Sequence, residues 1–225
     1  MKVIFAPYLD GNPYQPLLAQ ALAGRGVTVI PSGPKDFPEV ARDTEIDAVH
    51  LHWLHPMFVR GSTLRTLRDA FLFVRRLRSL KRRGVSIFWT AHNVASHEGR
   101  FPQVDSFVRR RVLRLANGVF VHNEAALKAI LDTHPGASRD SIRAIPHGSY
   151  IGAYENSIGR DAARRELGLP ADQFVFLSLG FIRPYKGVMK LIRCFRRLPQ
   201  GPRAALVIAG KPILGGSAEE LREAA

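Results

Sequence analysis

The chain has 225 residues, 46% of them hydrophobic, with 33 lysines and arginines against 19 aspartates and glutamates, a net charge of +14. That length and apolar content exclude intrinsic disorder as the main state and allow one complete domain plus part of another, while the charge selects anionic partners: nucleotide, phosphate, nucleic acid or an acidic membrane face. The single cysteine, Cys194, excludes an internal disulfide and fits a reducing cytoplasm; the apolar run at residues 1–6 is too short for a signal peptide, and no stretch approaches the ~20 apolar residues of a spanning helix.

In chain order, short β-rich runs alternate with helical periods, the pattern of an α/β domain with a mainly parallel sheet. Strands are expected at residues 2–6, 27–31, 48–52, 85–90, 118–122 and 142–145. Helices are expected between them at 14–23, ended by Gly24 and Gly26; at 62–83, ended by Gly84; at 104–116, ended by Gly118; and at 124–133, stopped by Pro135. Residues 1–152 thus read as one Rossmann-like, doubly wound unit.

Residues 153–171 form a polar, arginine-rich connector with a short helix, and a second β-α-β unit follows at 172–225. Its strands are expected at 174–179 and 204–209, its helices at 187–197 and from near Ser217. Two strands cannot bury both faces of an open sheet, so this unit reads as the incomplete part of a larger domain.

Ligands of open α/β sheets sit beyond the carboxyl ends of the strands. After the first strand, Gly11 lets backbone approach a ligand, although Asp10-Gly11-Asn12-Pro13 is equally an ordinary turn. At the third, alternation puts His50 and His52 on one face. Two histidines could open a metal site, but no third ligand follows at a matching spacing, so the wall of a cleft is the better reading and no metal is expected. The fourth strand delivers His92 and Asn93, and His92 is the first unit's best acid-base or hydrogen-bonding candidate; a structural histidine is its rival. In the second unit Arg183 and Lys186 precede a helix opening on Gly187, so two cations and a helix N-terminus converge where a diphosphate would fit. Such a site stabilises charge growing on a phosphate leaving group. Neither GxGxxG nor GxxxxGK[ST] occurs at the strand-helix turns, against a nicotinamide dehydrogenase or a P-loop ATPase.

His50-Leu51-His52-Trp53, Trp89-Thr90-Ala91-His92-Asn93, Ile145-Pro146-His147-Gly148, the connector Ala163 to Pro170, and Gly180 to Gly187 together resemble, in order and spacing, a GT-B glycosyltransferase of the large retaining family 4. The resemblance implies two facing Rossmann-like domains, with the acceptor on the first, a nucleotide-diphosphate sugar on the second, and metal-independent transfer with retention through an oxocarbenium-like transition state. It casts Lys186 as holding the donor diphosphate, Gly11 as approaching it, His92 as contacting the transferred sugar, and Gly210 and Lys211 as lying near the nucleotide. His50, His52 and Asn93 fall on the acceptor side. The acceptor would be a saccharide or lipid-linked molecule, the setting polysaccharide or glycoconjugate synthesis in the cytoplasm. Two departures stand out: Phe181 occupies a position where many members carry Arg, and the acidic ExxxxxxxE motif would fall beyond Ala225. The chain alone is therefore expected to hold its donor poorly. A GT-B-like epimerase or an inactive homologue is an alternative.

The helix at 62–83 carries two apolar stripes. Leu64, Leu67, Phe71 and Val74 are read as core; Phe73, Leu77 and Leu80, bordered by Arg76, Arg82 and Arg83, are read as packing under a loop or resting on an anionic membrane at its inner face. Arg109-Arg110-Arg111 with Arg114 raises nucleic acid as a rival partner, but without interleaved aromatics a solvated helix face is the simpler account.

Overall fold

A computed structural model describes residues 1–9, 11–42, 45–93, 101–198 and 204–212. The chain divides into two compact units, Met1–Tyr154 and Glu155–Ala225. In order, the first contains β1 (Lys2–Ala6), α1 (Tyr14–Ala23), β2 (Thr28–Pro31), α2 (Phe37–Val40), β3 (Ala48–Leu51), α3 (His55–Phe58), α4 (Thr63–Arg82), β4 (Ser86–Thr90), α5 (Pro102–Leu115), β5 (Gly118–Val121), α6 (Glu124–Thr133) and β6 (Ile142–Ala144). The short helices α2 and α3 were not expected: each has proline in its first turn but is too brief to leave a hydrophobic period.

The six strands form one parallel sheet in the order β2-β1-β3-β4-β5-β6. A parallel sheet covered on both faces needs apolar residues at nearly every position. Alternation then separates two cores. Ile4, Ala6, Val49, Leu51, Ile87, Trp89, Val119 and Val121 pack in the larger one with Phe73 and Leu77 of α4 and Val108 and Val112 of α5. Val3, Phe5 and Ala48 form the other, with Leu18 and Leu22 of α1 packed against them. His50 pairs in register with Phe5 and with Phe88, so it lies in the line of that second face. The strand order reverses between β1 and β3, and the crevice beyond their carboxyl ends is where this class of sheet places ligands.

Helix α4 reverses the expected sides. Phe73, Val74, Leu77 and Leu80 are buried, together with Thr66 and Ala70, whereas Leu64, Leu67 and Phe71 are 81%, 49% and 58% exposed. Only Val74 of the stripe assigned to the core is inside, and the stripe offered to a membrane is the core. Arg109 corrects a second expectation: it is buried, its Nε donating to Asp105 Oδ2 at 2.6 Å and its Nη1 to the Asn93 carbonyl at 2.8 Å. It joins α5 to the chain just past β4 rather than facing solvent.

The second unit contains α7 (Arg160–Glu166), β7 (Phe174–Leu179), α8 (Val188–Phe195) and β8 (Ala204–Ala209), with β7 and β8 paired in parallel over six residues each. The helix expected near Ser217 lies outside the described residues. Val188 and Ile192 of α8 are buried, while Phe174, Leu177 and Leu179 of β7 are exposed.

Candidate functional site

Three strands end in histidine. His52 follows β3, His92 lies two residues past β4 and His122 follows β5, so parallel register sets their rings side by side at one edge of the sheet. His52 Nδ1 is 3.2 Å from His92 Nε2, and His92 Nδ1 is 3.2 Å from His122 Nε2. His122 Nδ1 lies 3.3 Å from the carbonyl oxygen of Ile145.

That carbonyl fixes the direction of the chain. A carbonyl only accepts, so His122 carries its proton on Nδ1 and, when neutral, accepts on Nε2. His92 then donates from Nδ1 and accepts on Nε2 from the Nδ1–H of His52. Every proton points toward Ile145, leaving His52 Nε2 as a buried acceptor without a partner among the described residues. Neutrality follows from burial. It pushes His50 down to about 4 and His92 down to about 3, the latter helped by the neighbouring His122, His147 and His50. His52 is driven far below the usual imidazole range by burial and then by its histidine neighbours, and His122 is lowered by burial as well.

Around this line the site is aromatic. Trp53 stacks on His92 with ring centroids 4.1 Å apart and planes 9° apart. Tyr14, the first residue of α1, meets the rings of His92, His122 and His147 edge-on or tilted at 4.7, 5.4 and 5.0 Å. Its hydroxyl hydrogen-bonds Thr90, whose Oγ1 lies 2.8 Å from His50 Nε2, and burial raises the phenol's pKa. The loop after β1 is pinned from beneath by Gln15, which is fully buried, donates to the Pro7 carbonyl at 2.9 Å and accepts from the Leu9 amide at 2.7 Å. Asn12 Oδ1 accepts from the Tyr14 amide at 3.0 Å and the Tyr150 hydroxyl at 2.8 Å. The result is a cluster of imidazole and phenol rings at the strand ends, in which buried His50, His52 and His92 are held neutral and can exchange hydrogen bonds with hydroxyl groups. Among the described residues no group of three or more His, Cys, Asp or Glu is placed to hold a metal ion.

Of the expected residues, His50, His52 and His92 meet here, with His50 and His52 stacked at 4.4 Å. Asn93 contributes its carbonyl to Arg109. Gly11 is exposed, and a methyl group added there would meet nothing within 4 Å. Tyr14, Gln15 and His122 were given no role by the sequence. The rule that singled out His92 also reaches His122, because it too ends a strand; Gln15 was signalled by a polar side chain among the apolar residues of α1.

In the second unit the expected residues gather at the carboxyl ends of β7 and β8. Gly180, at φ 115°, donates its amide to Ala209 O at 2.9 Å, and Ile182 donates to Lys211 O at 3.0 Å. A methyl group at Gly180 would come within 3.2 Å of Lys186 Nζ, so the ammonium lies over the end of β7. The turn then runs through half-buried Arg183 to Gly187, at φ 67°, which caps α8. Glycine suits this left-handed backbone. Phe181 is exposed beside the loop and supplies no cation.

Gly210 has a packing reason of its own. A methyl group there would fall 1.9 Å from the Gly180 carbonyl oxygen, which is backbone and cannot swing aside. Gly210→Ala is therefore expected to destabilise the second unit by about 2 kcal/mol or more through overpacking, whereas Gly11→Ala stays within about 0.5 kcal/mol of wild type. Amide exchange along β7 and β8 checks the first and a urea midpoint the second; unchanged protection in Gly210→Ala would contradict the close approach.

Comparison with known proteins agrees with this architecture. Residues 159–225 match the family of glycosyl transferases group 1. The chain is 29% identical over 133 residues to D-inositol 3-phosphate glycosyltransferase of Kineococcus radiotolerans, covering 56% of this chain and 30% of that protein. It is 29% identical over 166 residues to GDP-mannose:glycolipid 4-beta-D-mannosyltransferase of Xanthomonas campestris pv. campestris, covering 74% and 42%. The fold matches Anabaena HepE, solved in complex with UDP and glucose, with a TM-score of 0.64 at 16% identity over 99% of this chain and 64% of that one. Fold and sequence thus define one class, the Rossmann-like α/β proteins of GT-B type. Within it, residues 159–225 match the group 1 glycosyl transferases, and the matches to these curated relatives cover less than half of the relatives' own length.

Proposed function

We propose that this protein is a glycosyltransferase that moves a hexose from a nucleotide-diphosphate sugar to a saccharide or lipid-linked acceptor, with retention and without a metal, in cytoplasmic glycoconjugate or polysaccharide synthesis. One observation carries the reading: within the segment that matches the group 1 family, Lys186 lies over the strand end at Gly180, beside the glycine that opens α8. Cation and helix amides suit a diphosphate, and holding the leaving phosphate stabilises the charge that develops there. In this reading Arg183 is the second phosphate cation and Lys211 borders the nucleotide. Gly11 leaves space for the donor, and His50, His52 and Asn93 shape the acceptor side. His92 hydrogen-bonds the transferred sugar as a neutral imidazole, a role that suits a ring held below the usual range by burial.

The test is thermal stabilisation of the longest natural form of the protein by UDP, GDP, UDP-glucose and GDP-mannose. One base is expected to raise the melting temperature. Losing a charge-assisted contact of about 1.5–3 kcal/mol in Lys186→Ala is expected to weaken donor affinity roughly 10- to 100-fold. If no nucleotide stabilises the wild type, or if Lys186→Ala binds equally well, the donor assignment fails. Release of free sugar epimer without transfer would instead favour an epimerase.

A further inference from the structure

The exposed side of α4 follows a single line along the helix: Leu64, Leu67, Phe71, Arg75, Arg78 and Arg82, spaced so that all six share one face. Its first three residues are large apolar side chains in solvent, and the three that continue the line are arginines. Beside the arginines opens a cleft of about 560 Å³ between α4 and α2. Leu72, Ser79 and Leu80 line it together with Arg42, Arg75, Arg76, Arg82 and Arg83, and among the described residues no carboxylate lines it. Burial, and after it the charge of Arg42, holds Arg76 below the usual guanidinium range, with Asp69 acting in the opposite direction. Asp69 is the single acidic residue of α4, against seven basic ones, and it is already paired with Arg60 and Arg68.

We propose that this face of α4 docks on an anionic lipid bilayer, with Leu64, Leu67 and Phe71 entering the headgroup boundary and the arginine cleft receiving lipid phosphates. Charge complementarity selects this occupant. A second copy would set Arg75, Arg78 and Arg82 of this face against the same three arginines, and an uncharged protein surface would offer them no counter-charge. Three apolar side chains that cost free energy in water recover it at the acyl boundary, and the neighbouring guanidiniums take the phosphates that lie at the same depth. The inference does not depend on the transferase reading, because it uses residues remote in sequence from those assigned to donor and acceptor.

Vesicle co-sedimentation of the full chain at low ionic strength tests it. Binding is expected to phosphatidylglycerol-containing vesicles and to be at least tenfold weaker to phosphatidylcholine alone. The triple variant Leu64→Ser, Leu67→Ser, Phe71→Ser keeps its melting temperature, since these side chains are exposed, yet loses at least tenfold in binding. Arg75→Gln, Arg78→Gln, Arg82→Gln loses as much. Replacing Arg110, Arg111 and Arg114 of α5 by Gln, an equal loss of charge elsewhere on the unit, leaves binding within about threefold. Undiminished binding by the serine variant, an equal loss in the α5 variant, or no binding to anionic vesicles overturns the proposal. Light scattering that shows a dimer abolished by the serine variant also overturns it, assigning the face to a second copy. Nucleotide binding by the same samples is read separately, so a failure here and a failure of donor recognition are told apart.

Discussion

Lowering the pH from 7 to 5 is expected to remove about 4 kcal/mol of unfolding free energy from the first unit through His50 and His52 alone. The sign follows from their burial. Both are lowered below the 6.5 of an exposed imidazole, His50 to about 4. Between those values the unfolded chain takes up a proton that the native ring refuses, so acid favours unfolding. The stability is complete above pH 6.5, declines as the pH falls, and the contribution of His50 levels off once it protonates near 4. Each ring held neutral costs about 1.4 kcal/mol per pH unit, about 2 kcal/mol by pH 5. A domain stable by only 5–15 kcal/mol feels a loss of that size. Carboxylates also titrate on this side, so the separation comes from His50→Phe. Phe5, Phe88 and Phe120 already surround the ring with centroids at 5.1, 6.5 and 5.6 Å, and a phenyl group fits that company. Thr90 loses one partner and keeps Tyr14. Urea midpoints at half-unit intervals are expected to show the variant's slope reduced by about 1.4 kcal/mol per pH unit. Parallel slopes in the two proteins would mean that His50 does not stay neutral in the fold.

The same burial explains why the candidate site was only half legible. Strand alternation and the rule about carboxyl ends located His50, His52 and His92, since both are statements about backbone geometry. The direction of the imidazole chain depends on the Ile145 carbonyl, 23 residues from His122 and brought there by β6. No local spacing encodes that. Tyr14 likewise reads as the first residue of a helix, and only the tertiary fold makes it the ring that four histidines share. In the second unit the loop was legible because its parts are consecutive: Gly180, Lys186 and Gly187 belong to one turn. The packing of Gly210 on Gly180 joins residues thirty apart and appeared in the sequence only as a glycine after a strand.

Helix α4 supplies the largest mutational contrast. Phe73→Ala is expected to cost about 3–5 kcal/mol, the cavity left by a phenyl group in a close-packed core, because Phe73 is 1% exposed and meets Phe37 at 6.0 Å between ring centroids. Phe71→Ala, two residues away, is expected to stay within about 0.5 kcal/mol of wild type, with Phe71 58% exposed. Reading the helix by its large side chains alone reverses this pair, since both stripes keep helical spacing. Small residues and the continuation of each line decide it. Thr66, Ala70, Phe73, Leu77 and Leu80 run the length of α4 without a charge, and the small Thr66 and Ala70 allow a close approach. The rival line passes from Phe71 directly to Arg75, Arg78 and Arg82, three guanidiniums whose burial without partners would cost far more than the exposure of three apolar groups saves. Urea midpoints of the two variants, each measured against wild type at pH 7, settle the order. Equal losses in both would require the helix to be rotated from the orientation described, and the exposed face of α4 would then be unavailable to any lipid surface.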